Sequence, residues 1–166
     1  MSITSNAVSS ELDSPFYKRN EALCKEWEQY IISRGGKIIG SYNAWSIAIK
    51  SKVTVKKTWL IDIQKATYSN GSLFFSSKYQ NLQETLTFKS IFKNTGCGNF
   101  CISRSFFSRK KRNHAFYNEV QELLKNEIKD RSLYKAKFKN SELTIIIHGK
   151  NGAFNLVDRV LEFEYT

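Results

Sequence analysis

Between Lys37 and Phe107 the apolar residues recur at about every second position, and that period constrains the fold more than any other feature of the chain. Side chains two apart share a face in an extended strand, not in a helix. Ile39, Trp45, Ile47 and Ile49 share one parity. So do Val53, Val55, Trp59, Ile61 and Ile63, with Lys57 interrupting the row. Leu73, Phe75 and Tyr79 follow, then Leu86, Phe88 and Phe92, then Phe100, Ile102 and Phe106. These rows predict five strands rich in β-branched and aromatic residues. Asn70–Gly71 reads as a hairpin turn. The connections are short and no proline follows Pro15, so a mainly antiparallel meander is expected.

On either side the period lengthens to that of a helix. Ser14 is a good N-cap and Pro15 suits the first helical position. Phe16, Leu23, Trp27, Tyr30 and Ile31 then make one stripe, which Gly35–Gly36 ends. Asn113 is expected to cap a second helix over 114–129, with Phe116, Val120, Leu123, Leu124 and Ile128 inward. Leu133–Lys139 and Glu142–His148 form a hairpin across Asn140–Ser141. Its first strand puts Tyr134, Ala136 and Phe138 on one side and Lys135, Lys137 and Lys139 on the other. A last helix from about Gly152 to Phe163 turns Phe154, Val157, Val160 and Leu161 inward. The fold class is therefore α+β: N-terminal helix, meander of about five strands, helix, β-hairpin and C-terminal helix. A chain of 166 residues, 41% of them hydrophobic, can bury a core of its own. Residues 1–13 read as a flexible polar tail and 14–166 as a single domain.

Trp59 and Asp62 on one strand, Phe88 and Phe92 on another, Phe116 at the start of a helix and the closing hairpin-plus-helix together resemble a loose group of small bacterial α+β domains of unknown function. The resemblance covers residues 59 to 166. It implies a fold and no activity. Members of that group often carry added membrane spans, and no apolar run here approaches the roughly 20 residues a span requires.

Charge is the strongest functional signal. The formal net charge is +11. Residues 51–113 hold twelve basic and two acidic side chains, whereas 1–50 and 114–166 are close to balanced. Such a field attracts polyanions. Arg109, Lys110, Lys111 and Arg112 form the densest run, just before a helix N-terminus that itself favours anions. A salt-screened surface loop between strand and helix is the simpler account of the same run. Lys56 and Lys57 extend the patch if their strand adjoins it, with Lys89, Lys93 and Arg104 as further candidates. Lys57 shares parity with the apolar row, so it is expected to snorkel from, or guard, a sheet edge.

Other chemistry finds little support. Cys97 and Cys101 are about 13 Å apart on an extended strand, too far for a disulfide, and the flanking glycines argue against a helix. No second ligand pair accompanies them, so no metal site and no cofactor is expected. Cys24 reads as a small buried filler. His114 and His148 lack a local nucleophile motif. Asp62 with Lys65 faintly suggests a nuclease-like acid–lysine pair, but the required second acid is missing. Glu84 reads as a turn residue. Gly149–Gly152 is too short for a phosphate loop. Trp45, Trp59, Phe74, Phe75 and Phe107 are available to stack on bases, but most carry core parity.

The N-terminal residues lack a signal-peptide pattern and the cysteines are odd in number, so a reducing, cytoplasmic setting is expected. The leading functional expectation is a non-enzymatic domain that binds an acidic macromolecular partner. The alternatives are nucleic-acid binding through 51–113, largely phosphate-directed, and an enzyme with an unrecognised His/Cys site. The sequence leaves any small-molecule ligand open.

Overall fold

The computed structural model describes residues 2–68, 81–103, 114–149 and 152–165. Among these residues eight strands form one mixed sheet, and the helices cover one face of it. The strands are β1 (Ile3–Ser5), β2 (Lys37–Tyr42), β3 (Ser46–Thr54), β4 (Thr58–Tyr68), β5 (Asn81–Ile91), β6 (Phe100–Ser103), β7 (Leu133–Lys139) and β8 (Glu142–His148). The helices are α1 (Pro15–Ser33), α2 (Ala115–Leu123), α3 (Lys125–Lys129) and α4 (Phe154–Leu161). The strand order is β1-β2-β3-β4-β5-β8-β7-β6. The α+β class and the expected helices are present, but the meander is only partial. It runs from β2 to β5, after which the β7–β8 hairpin inserts between β5 and β6. β6 therefore lies at the far edge, paired with β7 rather than β5.

Residues 3–5 are not part of a tail. They form β1, the one parallel pairing among the described strands, beside β2. Two contacts outweigh the polar composition of that segment. Ile3 is buried in the core. Glu28 of α1 accepts hydrogen bonds from the Ser2 N–H at 2.6 Å and the Ser2 hydroxyl at 3.1 Å. On its other side Gly40 of β2 lets β2 lie close against β3, because a Cβ there would stand 2.5 Å from the Ala48 carbonyl oxygen.

Parity is corrected at two turns. Ile38 and Tyr42 face the core in β2, whereas Ile39 and Trp45 are exposed. Asn43 explains the switch: its side-chain oxygen accepts from the N–H groups of Trp45 and Ser46, making a tight turn that resets the alternation. Val53 and Trp59 are cross-strand partners of a hairpin, not members of one strand. Lys56 and Lys57 lie in its turn and Val55 is exposed.

Ser14 caps α1 as expected, accepting from the Phe16 N–H. Phe16 itself is half exposed, and the buried stripe runs through Asn20, Cys24, Trp27 and Ile31. The second helix breaks at Leu124 into α2 and α3. Its cap is His114, whose Nδ1 accepts from the Phe116 N–H at 3.2 Å, rather than Asn113. The break rotates α3 so that Glu127 is buried and Ile128 exposed. Arg159 of α4 meets Glu127 at 2.6 Å and donates to the Leu123 carbonyl at 2.9 Å. The core is aromatic where the helices cross the middle of the sheet, with Phe116 against Phe92, Phe100, Phe138 and Tyr165.

The Asn70–Gly71 turn, the row Leu73, Phe75 and Tyr79, Phe74, Phe106 and Phe107, and the basic residues Arg104, Arg109, Lys110, Lys111 and Arg112 all lie outside the described residues. So do Asn113, Lys150 and Asn151. No helix among the described residues is long and apolar enough to cross a membrane.

Candidate interaction face

Among the described residues, strict alternation leaves the second face of the sheet without a covering helix. Inward residues such as Ile49, Ile61, Phe88, Ile145 and Ala136 are almost fully buried, while their sequence neighbours are exposed or half exposed. The strand register sets those neighbours in rows. One row runs Lys37, Lys52, Leu60, Lys89, Thr144, Lys137 and Cys101 across β2, β3, β4, β5, β8, β7 and β6. The next runs Ile39, Lys50, Asp62, Thr87, Ile146, Lys135 and Ser103. Lys139 faces Glu142 at the end of the β7–β8 hairpin. The open face thus gathers many lysines with Asp62 and Glu142 as the acidic members of those pairings. Adjacent strands are about 4.8 Å apart and alternate residues about 6.7 Å apart, so neighbouring lysines lie within a Debye length and their fields add.

A groove of about 540 Å³ lies toward the β3–β4 turn end of this face. Leu60 and Ile91 line it and are 47% and 58% exposed, so the groove brings two large aliphatic side chains to the surface together. Lys52, Lys57, Lys89 and Lys93 surround them, with Glu142 at one side. The arrangement is an apolar floor inside a cationic rim.

The individual site expectations fare differently. Lys57 lies in the hairpin turn with its ammonium 4.2 Å from the centre of the Phe92 ring, a cation–π contact that caps the aromatic core and borders the groove. Lys56 points elsewhere, 3.8 Å from Glu164, and both are about half exposed. Exposed pairs of that kind contribute little. Arg109, Lys110, Lys111 and Arg112 fall outside the described residues, so the sheet face stands without them. Lys50, Lys52, Lys135, Lys137 and Lys139 were not singled out as a site by sequence. The alternation of 133–139 already showed lysines on one side of a strand. The insertion of β8 and β7 beside β5 is what joins them to Lys89.

A register shift between Leu133 and Lys135 marks a bulge in β7. Tyr134 is half exposed there and stacks on His148, with ring centres 4.7 Å apart and planes within 9°. His148 is thus a stacking partner and His114 a helix cap. The described residues hold no group of three or more His, Cys, Asp or Glu that could bind a metal ion. Trp59 is fully buried, and Trp45, half exposed, packs on Phe16. Asp62 and Lys65 lie on opposite faces of β4. Lys65 instead pairs with Glu84, a strand residue rather than a turn residue, at 3.7 Å.

Comparison with protein-family models, with curated proteins and with solved structures finds no match.

Proposed function

We propose that the chain is a non-enzymatic binding domain and that its open sheet face engages an acidic segment of a protein partner. The carrying observation is the groove floored by Leu60 and Ile91 and rimmed by Lys52, Lys57, Lys89 and Lys93. An exposed apolar floor supplies area to be buried, and the lysines select acidic flanks and speed the encounter. The alternation of an extended peptide, about 6.7 Å between side chains on one face, suits the spacing of the rows. A phosphate backbone would use the charge but gain nothing from the aliphatic floor. Nucleic-acid sites interleave stacking aromatics with their cations, and on this face Tyr134 and His148 already stack on each other. The odd number of cysteines, three, fits a reducing compartment such as the cytoplasm.

The test is fluorescence anisotropy with two probes, a labelled peptide alternating glutamate and leucine and a labelled single-stranded oligonucleotide of equal charge. The peptide is expected to bind, and to weaken at least threefold in both a Lys52→Gln/Lys89→Gln variant and a Leu60→Ser/Ile91→Ser variant. An oligonucleotide that binds more tightly, with an affinity insensitive to Leu60 and Ile91, would replace this reading with phosphate recognition.

A further inference from the structure

On the helical face, at the opposite end of β4, the core ends in charge rather than in apolar side chains. Trp59, Ile61 and Ile63 of β4 face inward and are fully buried, and the next residue in that row is Lys65. Leu86 and Phe88 of β5 do the same, and the row ends in Glu84, the cross-strand partner of Lys65. Both side chains are largely buried, at 13% and 19% exposed. They line a hollow of about 610 Å³ between α1 and the residues Gly149, Gly152 and Ala153. Burying two charges is costly, and aliphatic residues at the same places would be at least as stabilising.

Lys65 is also held in place. Its ammonium donates to the Asn20 side-chain oxygen at 2.9 Å. Asn20 is 1% exposed, and its amide nitrogen donates to the carbonyls of Asn43 and Ala44, at 2.8 and 3.3 Å. The cation is therefore oriented by a buried residue that is itself anchored by backbone. That is the support expected beneath a binding group rather than at the frayed end of a core. Glu84 is 3.7 Å away, an ion-pair contact longer than a direct hydrogen bond, so the two groups do not spend their hydrogen-bonding capacity on each other.

The rim repeats the pattern. Arg19 and Glu26 are seven residues apart on the exposed side of α1, roughly 10 Å along the helix, and both line the hollow. Ala22, Leu23 and Ala153 form an apolar wall. Charges of both signs thus occur at the floor and at the rim. A simple anion would meet Glu84 and Glu26, and a simple cation would meet Lys65 and Arg19. We infer that this hollow binds a small zwitterion of the amino-acid or short-peptide type, its carboxylate toward Lys65 and Arg19 and its ammonium toward Glu84 and Glu26.

The inference is independent of the open face and is tested separately. The probes are glycylglycine and free glutamate, lysine and leucine, with succinate and inorganic phosphate as anions and cadaverine as a dication. Each is titrated by calorimetry and by thermal shift at 10 mM. At least one zwitterion is expected to bind while succinate, phosphate and cadaverine do not. Affinity is expected to fall at least tenfold in Lys65→Met and in Glu84→Gln. Arg19→Gln and Glu26→Gln, at exposed rim positions that leave the core intact, should each lower it about threefold. Equal or tighter binding of phosphate or succinate would overturn the zwitterion assignment. No binding of any zwitterion, or binding unchanged in the two rim variants, would overturn the site.

Discussion

Arg159 pairs with Glu127, a carboxylate that the fold buries on α3, and removing the guanidinium takes the cation from that pair. The Glu127 side chain is 2% exposed and that of Arg159 is 37% exposed. Taking one partner from a buried pair costs about 3–5 kcal/mol, because the other charge is left in a poorly solvating site. The partial exposure of Arg159 puts the expected loss for Arg159→Met at the lower end, about 3 kcal/mol. It also removes the donor to the Leu123 carbonyl at the α2–α3 break. For a chain of this length that loss corresponds to a fall in Tm of about 6–12 °C. Glu127→Leu alone should cost less, since the remaining cation can reach water. The double variant Arg159→Met/Glu127→Leu should return to within about 1.5 kcal/mol of the parent, because an apolar pair of similar volume replaces an ion pair with little net change. Urea unfolding followed by the fluorescence of the buried Trp27 and Trp59 measures all three. A loss below about 1 kcal/mol in Arg159→Met, or a double variant whose loss equals the sum of the singles, would refute the reasoning, as the coupling would then be absent.

Three further outcomes are expected. The Ser2 backbone N–H holds the Glu28 carboxyl below its ordinary range, so β1 gains full support above that range and loses it as pH falls through the lowered value. NMR shifts of Ile3–Ser5 should move toward random coil in acid before the rest of the sheet, and Glu28→Gln should abolish that pH dependence. Gly40→Ala should cost about 1–3 kcal/mol, because its Cβ would press on the Ala48 carbonyl; a neutral effect in thermal unfolding would contradict the close packing of β2 on β3. Burial pushes the Cys24 thiol up to about 12, so peptide mapping should find it unalkylated by iodoacetamide at pH 8 until the chain is unfolded.

The functional readings depend on different levels of the structure. The open face uses exposed side chains of a rigid sheet, so its variants should change binding without changing stability. The hollow under α1 uses groups that also end the core, so its floor variants need the rim variants beside them. The two sites lie on opposite faces and toward opposite ends of β4, and each can fail without the other.

Period and composition were enough for α1, α4 and the β7–β8 hairpin, but not for β1, whose polar segment read as a tail, nor for the break between α2 and α3. Alternating β-branched and aromatic residues in an extended chain present one face to the core, and the serine cap of α1 acts through its own first turn. Those interactions span a few residues, so they can be read locally. Turn chemistry was the first point of failure: Asn43 reset the parity of β2 relative to β3, and a tight hairpin divided the row from Val53 to Ile63. Both are single-residue events that an average over a window hides. The sheet order was the second. Leu133–Lys139 carries its lysines on one side whatever its neighbours, but only the seating of β8 against β5 brings them into line with Lys89 and Lys52. Likewise nothing in the local pattern places Lys65 over Glu84, or Asn20 beneath it. Pairings between strands far apart in sequence are chosen by the total burial of the sheet and its helices, so where the charges converge was decided by the tertiary structure alone.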